Sequence, residues 1–157
     1  MIHMLIGIPG SGKSTFAEKL SKELNCRIVS TDKVRSENPN WDEALVWPEV
    51  YRLCALALQN NLDVIFDATN ITPKVRRRFV DEVEKYNAVV VMGAYYFNTS
   101  KEECYARVVK RNNQPDSLFL PPEVVYSYSE KIVFPTKEEG FSFIKTIEKG
   151  EIVNIEK

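Results

Sequence analysis

Short apolar runs and amphipathic stretches alternate along this chain, and their spacing predicts buried strands separated by helices. Ile2 to Ile8 is mainly apolar and runs into Pro9, which suits a parallel strand buried on both faces better than a surface strand of alternating polarity. From Lys13 to Leu24, Phe16, Ala17, Leu20 and Leu24 fall on one helical face, with Glu18, Lys19, Lys22 and Glu23 on the other. Arg27 to Ser30 predicts a second strand, followed by a short helix near Lys33. Pro48 can open a helix whose Val50 to Leu58 stretch is apolar nearly all round. Asp63 to Phe66 predicts the third strand, and Thr72 with Pro73 starts a helix whose stripe of Val75, Phe79, Val80, Val83 and Tyr86 runs to Asn87. Ala88 to Phe97 predicts the fourth strand. Ser100 caps a helix carrying Cys104, Tyr105, Val108 and Val109, Pro121 and Pro122 prepare another to about Val133, and Phe141 to Glu148 offers a last strand.

Strand and helix alternating from Ile2 to Arg111 predict an α/β domain whose mostly parallel sheet is covered on both sides. No repeat, low-complexity tract or linker interrupts residues 1–157, so one domain is expected. Charge narrows the partners: 21 basic against 22 acidic side chains give a net charge of −1, which argues against a broad basic coat for nucleic acid but permits a local positive cleft. Cys26, Cys54 and Cys104 lie far apart with no paired spacing, so neither a disulfide framework nor a zinc site is expected. No run is long enough to span a membrane and no leader pattern is present, so a soluble, cytoplasmic protein without an obligate protein partner is expected.

The chemistry begins after the first strand. Gly7-Ile8-Pro9-Gly10-Ser11-Gly12-Lys13-Ser14 fits Gly-x4-Gly-Lys-Ser/Thr, with a predicted strand before it and an amphipathic helix after it. Glycines let successive backbone N–H groups converge on a phosphate, and the helix N-terminus adds its positive end. Lys13 can reach the β- and γ-phosphates, the Ser14 hydroxyl can ligate magnesium, and Thr15 can assist. ATP and magnesium are therefore expected on this loop.

The remaining strand ends favour transfer over hydrolysis. In parallel α/β sheets ligands lie beyond the carboxyl ends of the strands, which places Asp32, after strand two, and Asp67, after strand three, in the crevice with Lys13. Asp67 is followed by Ala68, Thr69 and Asn70, so the glutamate that motor ATPases use to activate water is missing there. Transfer to a bound hydroxyl needs one carboxylate within hydrogen-bond reach, and Asp32 is placed for it.

The phosphate loop through Thr15, Asp32-Lys33-Val34-Arg35, Asp67-Ala68-Thr69-Asn70 and Lys110-Arg111-Asn112 together resemble the kinase domain of polynucleotide kinases that phosphorylate 5′-hydroxyl ends. The resemblance implies a P-loop kinase-like three-layer sandwich with a helical lid over about residues 100–133. It implies Asp32 as general base and Arg35 as the residue holding an acceptor phosphate. Asp67 would orient Arg35 through an ion pair, or support Ser14-bound magnesium through water, as Asp32 could instead. Thr69 and Asn70 belong to the same acceptor-side motif. Arg111 would act on the ATP phosphates from the lid, with Arg107, one turn earlier, competing for that role. The length leaves no room for a fused phosphatase or ligase, so no action on 3′ ends is expected.

Other residues leave two readings each. Arg76, Arg77 and Arg78 oppose the dipole of their helix start, which fits either a solvated face or contact with acceptor phosphates. Trp41 and Trp47 fit either stacking on a base or anchoring a helix entry, and His3 fits a structural role. Two other functions share the motifs, namely kinases of nucleosides, antibiotics or other small hydroxyl compounds, and a nucleotide-controlled switch with a lid around Asn112 to Pro121.

Overall fold

Six strands hydrogen-bond into one sheet in the order β2-β3-β1-β4-β5-β6. The computed structural model describes residues 1–157. In chain order the elements are β1 (Ile2–Ile6), α1 (Lys13–Leu24), β2 (Arg27–Ser30), α2 (Thr31–Glu37), α3 (Glu43–Gln59), β3 (Val64–Asp67), α4 (Pro73–Glu84), β4 (Met92–Phe97), α5 (Lys101–Asn112), α6 (Val124–Lys131), β5 (Phe141–Glu148) and β6 (Glu151–Glu156). β1 to β5 run parallel and β6 returns antiparallel on β5. Every residue of β1 and β3 is buried, as expected for central strands covered on both faces.

Helices form the outer layers of an α/β sandwich. On one face Val46, Val50, Tyr51 and Cys54 of α3 and Phe79 and Val83 of α4 pack with Met4 and Phe66. Phe66 and Phe79 stack there with ring centroids 4.5 Å apart, and burying each ring contributes about 2–3 kcal/mol. On the other face Ala17 and Leu20 of α1 pack on Leu5, Ile65 and Tyr95. A third cluster joins Cys104 and Val108 of α5 to Val125 of α6 and Ile8 of the phosphate loop, so the expected lid rests directly on that loop. No helix is long and apolar enough to cross a membrane.

Local signals explain most boundaries and several departures. Thr72 caps α4 by accepting from Val75 N, and Ser100 caps α5 by accepting from Glu103 N. α3 starts five residues before Pro48, because Asp42 accepts from Ala44 N and sets the first turn there. Pro48 lies inside that helix as its sixth residue, where it has no N–H to donate to the carbonyl of Ala44. β4 begins at Met92 instead of Ala88, after a segment containing the exposed Val89 and Val91. β6 has no precedent in the sequence reading. All its residues are exposed, and it is held by its ladder to β5, reached through a turn in which Lys149 and Gly150 take positive φ.

Candidate active site

The chain crosses from β3 over β1 to reach β4, which opens the carboxyl ends of β1 and β3 onto one crevice. A cleft of about 560 Å³ lies there, lined by Pro9, Gly10, Gly12, Lys13, Ser14 and Thr15 below and Asp32, Arg35, Glu43 and Trp47 at one side. Asp67, Ala68 and Thr69 line its floor, and Arg107, Arg111, Leu120 and Tyr128 face it from the lid.

Two glycines of the loop are required by its path. Gly10 takes a φ of 82° and approaches α5 so closely that a Cβ would sit 2.5 Å from Cys104 O. Gly12, at a φ of 96°, immediately precedes α1, and a side chain at either would strain the backbone. Lys13 folds over the loop, its Nζ donating to Ile8 O at 2.9 Å and to Ser11 Oγ at 3.4 Å. Burial lowers the Lys13 pKa, against the opposing pull of Asp67 and Asp32. The backbone N–H of Gly7 donates to Thr69 O at 3.0 Å, so the loop after β3 braces the phosphate loop.

Asp67 and Ser14 form the second half of the floor. Ser14 Oγ donates to Asp67 Oδ2 at 2.9 Å. Burial raises the Asp67 pKa, while Lys13 and the Ser14 hydroxyl pull it down. A buried carboxylate beside a hydroxyl supplies two hard oxygen donors to a small divalent cation. No group of three or more His, Cys, Asp or Glu gathers for a metal, and magnesium held largely by substrate phosphates needs no such cage.

At the Arg35 end of the cleft the structure corrects the expected ion pair. Arg35 does not pair with Asp67. Its Nη1 donates to Asp32 Oδ1 at 2.8 Å, and its Nε and Nη2 donate to Glu43 at 3.1, 3.0 and 2.6 Å. The reason is local: α2 puts Asp32 and Arg35 one turn apart, and Asp42 starts α3 so that Glu43 stands opposite. Glu43 was missed in the sequence, where only the capping aspartate before it marked this helix start.

Asn70 is also corrected. It is fully buried, at a φ of 48°, and its Nδ2 donates to Leu5 O at 2.8 Å. It braces the β3 exit against β1 and does not line the cleft, whereas Thr69 does. Arg76 meets neither of its two expectations. Only 1% exposed, it donates to both oxygens of Glu139 at 2.7 and 3.1 Å, to Asn70 O at 2.8 Å and to Val133 O at 3.2 Å. It thereby ties the β3 exit to the chain leaving the lid. Arg77 makes an exposed pair with Asp81, and nothing joins either residue to the cleft.

On the lid, Arg107 donates to Gly10 O at 3.3 Å and to Glu103 at 2.9 Å. It also borders a second cavity, of about 450 Å³, lined by Ser11, Thr15, Phe16, Lys19 and Lys149. Arg111 faces only the first cleft. Trp47 packs against Tyr51 and, edge-on, Phe66 while lining the cleft, and Trp41 is partly exposed. His3 bonds Tyr95 and Asp63 away from the cleft, as a structural residue would.

The chain is similar in sequence and fold to known proteins. The model of the family described as AAA domain (AAA_33) matches residues 2–133. A bifunctional polynucleotide phosphatase/kinase of Schizosaccharomyces pombe is 24% identical over 146 residues, covering 93% of this chain and 33% of that protein. An L-seryl-tRNA(Sec) kinase of Methanococcus maripaludis is 28% identical over 171 aligned residues, covering 98% of this chain and 64% of that protein. The chain thus spans about a third and just under two thirds of these relatives. Among solved structures, Kti12 of Chaetomium thermophilum in complex with ADP-AlF3 superposes with a TM-score of 0.74 at 18% identity, covering 95% of this chain and 89% of that one.

Proposed function

The chain belongs to the AAA_33 family, an AAA domain of the P-loop kinase type, and on that premise we propose that it moves the γ-phosphate of ATP to a polynucleotide 5′-hydroxyl. The observation that carries this reading is the pair Asp32 and Arg35, one helical turn apart on the rim of the cleft whose floor holds Lys13 and Ser14. The name of one curated relative, a bifunctional polynucleotide phosphatase/kinase, adds support, while the other is named for a seryl group carried on tRNA.

In this reading the loop N–H groups and Lys13 hold the β- and γ-phosphates. Magnesium, when bound by Ser14 and Asp67, supplies positive charge to the phosphate oxygens. Asp32 gives one oxygen to Arg35 and keeps the other for the acceptor hydroxyl. As that hydroxyl oxygen bonds to the γ-phosphorus, its proton passes to Asp32, the bond from the γ-phosphorus to the bridging oxygen breaks, and ADP leaves. Arg111, facing only this cleft, offsets charge at the transferring group. Arg107, bordering both cavities, holds the donor's side of the loop.

A second reading, a small hydroxyl acceptor, is favoured by one observation: Arg35 already lies between two carboxylates. Transfer of labelled γ-phosphate to 5′-hydroxyl DNA and RNA oligonucleotides, nucleosides and aminoglycosides separates the two. Label on oligonucleotides supports the first, and label confined to small acceptors replaces it with the second.

A further inference from the structure

The transfer just described leaves Glu43 without a task. It opens α3 with a side chain 60% exposed, in the cleft, and its side-chain partner there is Arg35 of α2. Yet it takes both the Nε and the Nη2 edge of Arg35, at 3.1, 3.0 and 2.6 Å, while Asp32 takes Nη1 at 2.8 Å. A guanidinium has five N–H groups. Glu43 occupies two and Asp32 one, so two remain for any ligand.

The three side chains together carry one net negative charge. The other charged groups facing this cleft are Lys13 and Asp67 on the floor and Arg107 and Arg111 on the lid. An acceptor phosphate drawn to Arg35 therefore meets a carboxylate already on its best bidentate edge. It also meets that carboxylate's like charge. With the Glu43 side chain 60% exposed, a competing anion can reach the pair from solvent and contest its place on Arg35. The mutual shifts agree: Arg35 holds the Glu43 pKa below the usual carboxylate range, and Glu43 raises that of Arg35.

We propose that Glu43 is a specificity-determining residue of the acceptor side, an internal competitor that sets how strongly the site separates phosphate-bearing from phosphate-free hydroxyl acceptors. The proposal rests on Arg35 facing the acceptor, as in the function proposed above. Its test does not require the acceptor to be known.

The test follows the Arg35 Nε–H resonance in labelled protein, assigned by its loss in Arg35→Lys, during titration with inorganic phosphate. Magnesium and a non-hydrolysable ATP analogue fill the phosphate loop throughout. Phosphate binds Glu43→Gln about two- to fivefold more tightly than wild type, and Glu43→Ala changes in the same direction. Equal or weaker binding in both variants, or no response of Arg35 in any of the proteins, overturns the proposal. In turnover, the kcat/KM ratio of a nucleoside 3′-monophosphate to its nucleoside rises by the same factor in Glu43→Gln, through KM; an unchanged ratio also overturns it. If wild type phosphorylates neither, the phosphate titration decides the role of Glu43, and transfer to 5′-hydroxyl oligonucleotides separately decides the polynucleotide reading.

Discussion

Ser14 and Asp67 meet across the floor of the cleft, the serine hydroxyl donating to Asp67 Oδ2 at 2.9 Å. The contact joins the first turn of α1 to the last residue of β3, two elements that only the folded sheet brings together. It also keeps a buried carboxylate beside the place where phosphate charge gathers. Replacing Asp67 by Asn preserves an acceptor for Ser14 and removes the charge. We expect turnover to fall by about 10²- to 10³-fold, with a weakened response to magnesium and ATP binding without magnesium little changed. Magnesium titrations of turnover and of nucleotide binding check this, and unaltered turnover contradicts it.

Arg76 gives a prediction about stability. Its guanidinium is buried and shared among Glu139, Asn70 O and Val133 O. Arg76→Met leaves those acceptors unpaired and should destabilise the fold by about 3–5 kcal/mol. Adding Glu139→Gln should recover part of the loss, because the uncompensated carboxylate is gone. Urea unfolding of the two variants measures both effects; a loss under about 1 kcal/mol, typical of a surface pair, would deny the buried brace.

His3 predicts a dependence of stability on pH. Burial lowers its pKa below the ordinary 6.5, although Asp63 opposes the shift. The unfolded chain therefore binds the proton first as pH falls. Stability is retained above about 6.5 and lost below it, until the folded imidazole also protonates. The urea midpoint of the wild type should fall between pH 7.5 and 5.5 more steeply than that of His3→Gln. Parallel profiles would remove His3 as the cause.

Residues that act through local pattern were the ones legible in the sequence. The phosphate loop, α1 over Lys13–Leu24 and β2 over Arg27–Ser30 follow from spacing and capping within a dozen residues, and all lie where expected. Asp32 and Asp67 were placed at one crevice because parallel strands send their carboxyl ends to one edge, whereas Arg35 came from the resemblance to polynucleotide kinases. Partners separated by other elements were not legible. The pairing of Arg35 with Glu43 depends on how α3 turns back on α2, and the burial of Arg76 depends on Glu139, 63 residues away. β6 escaped notice because its exposed residues pack on no core, and only the ladder to β5 makes it a strand.

In the transfer proposed from ATP, Asp32 takes the acceptor's proton. The most direct test of that role measures transfer of labelled γ-phosphate to a 5′-hydroxyl oligonucleotide by wild type and Asp32→Asn, with ATP affinity measured on both. Turnover should be lower by about 10²- to 10⁴-fold in the variant, with the ATP dissociation constant within about twofold of wild type, since in the proposed transfer Asp32 faces the acceptor and leaves the phosphate loop to Lys13 and Ser14. Full transfer by the variant, or an equal loss of ATP binding and transfer, would contradict that role.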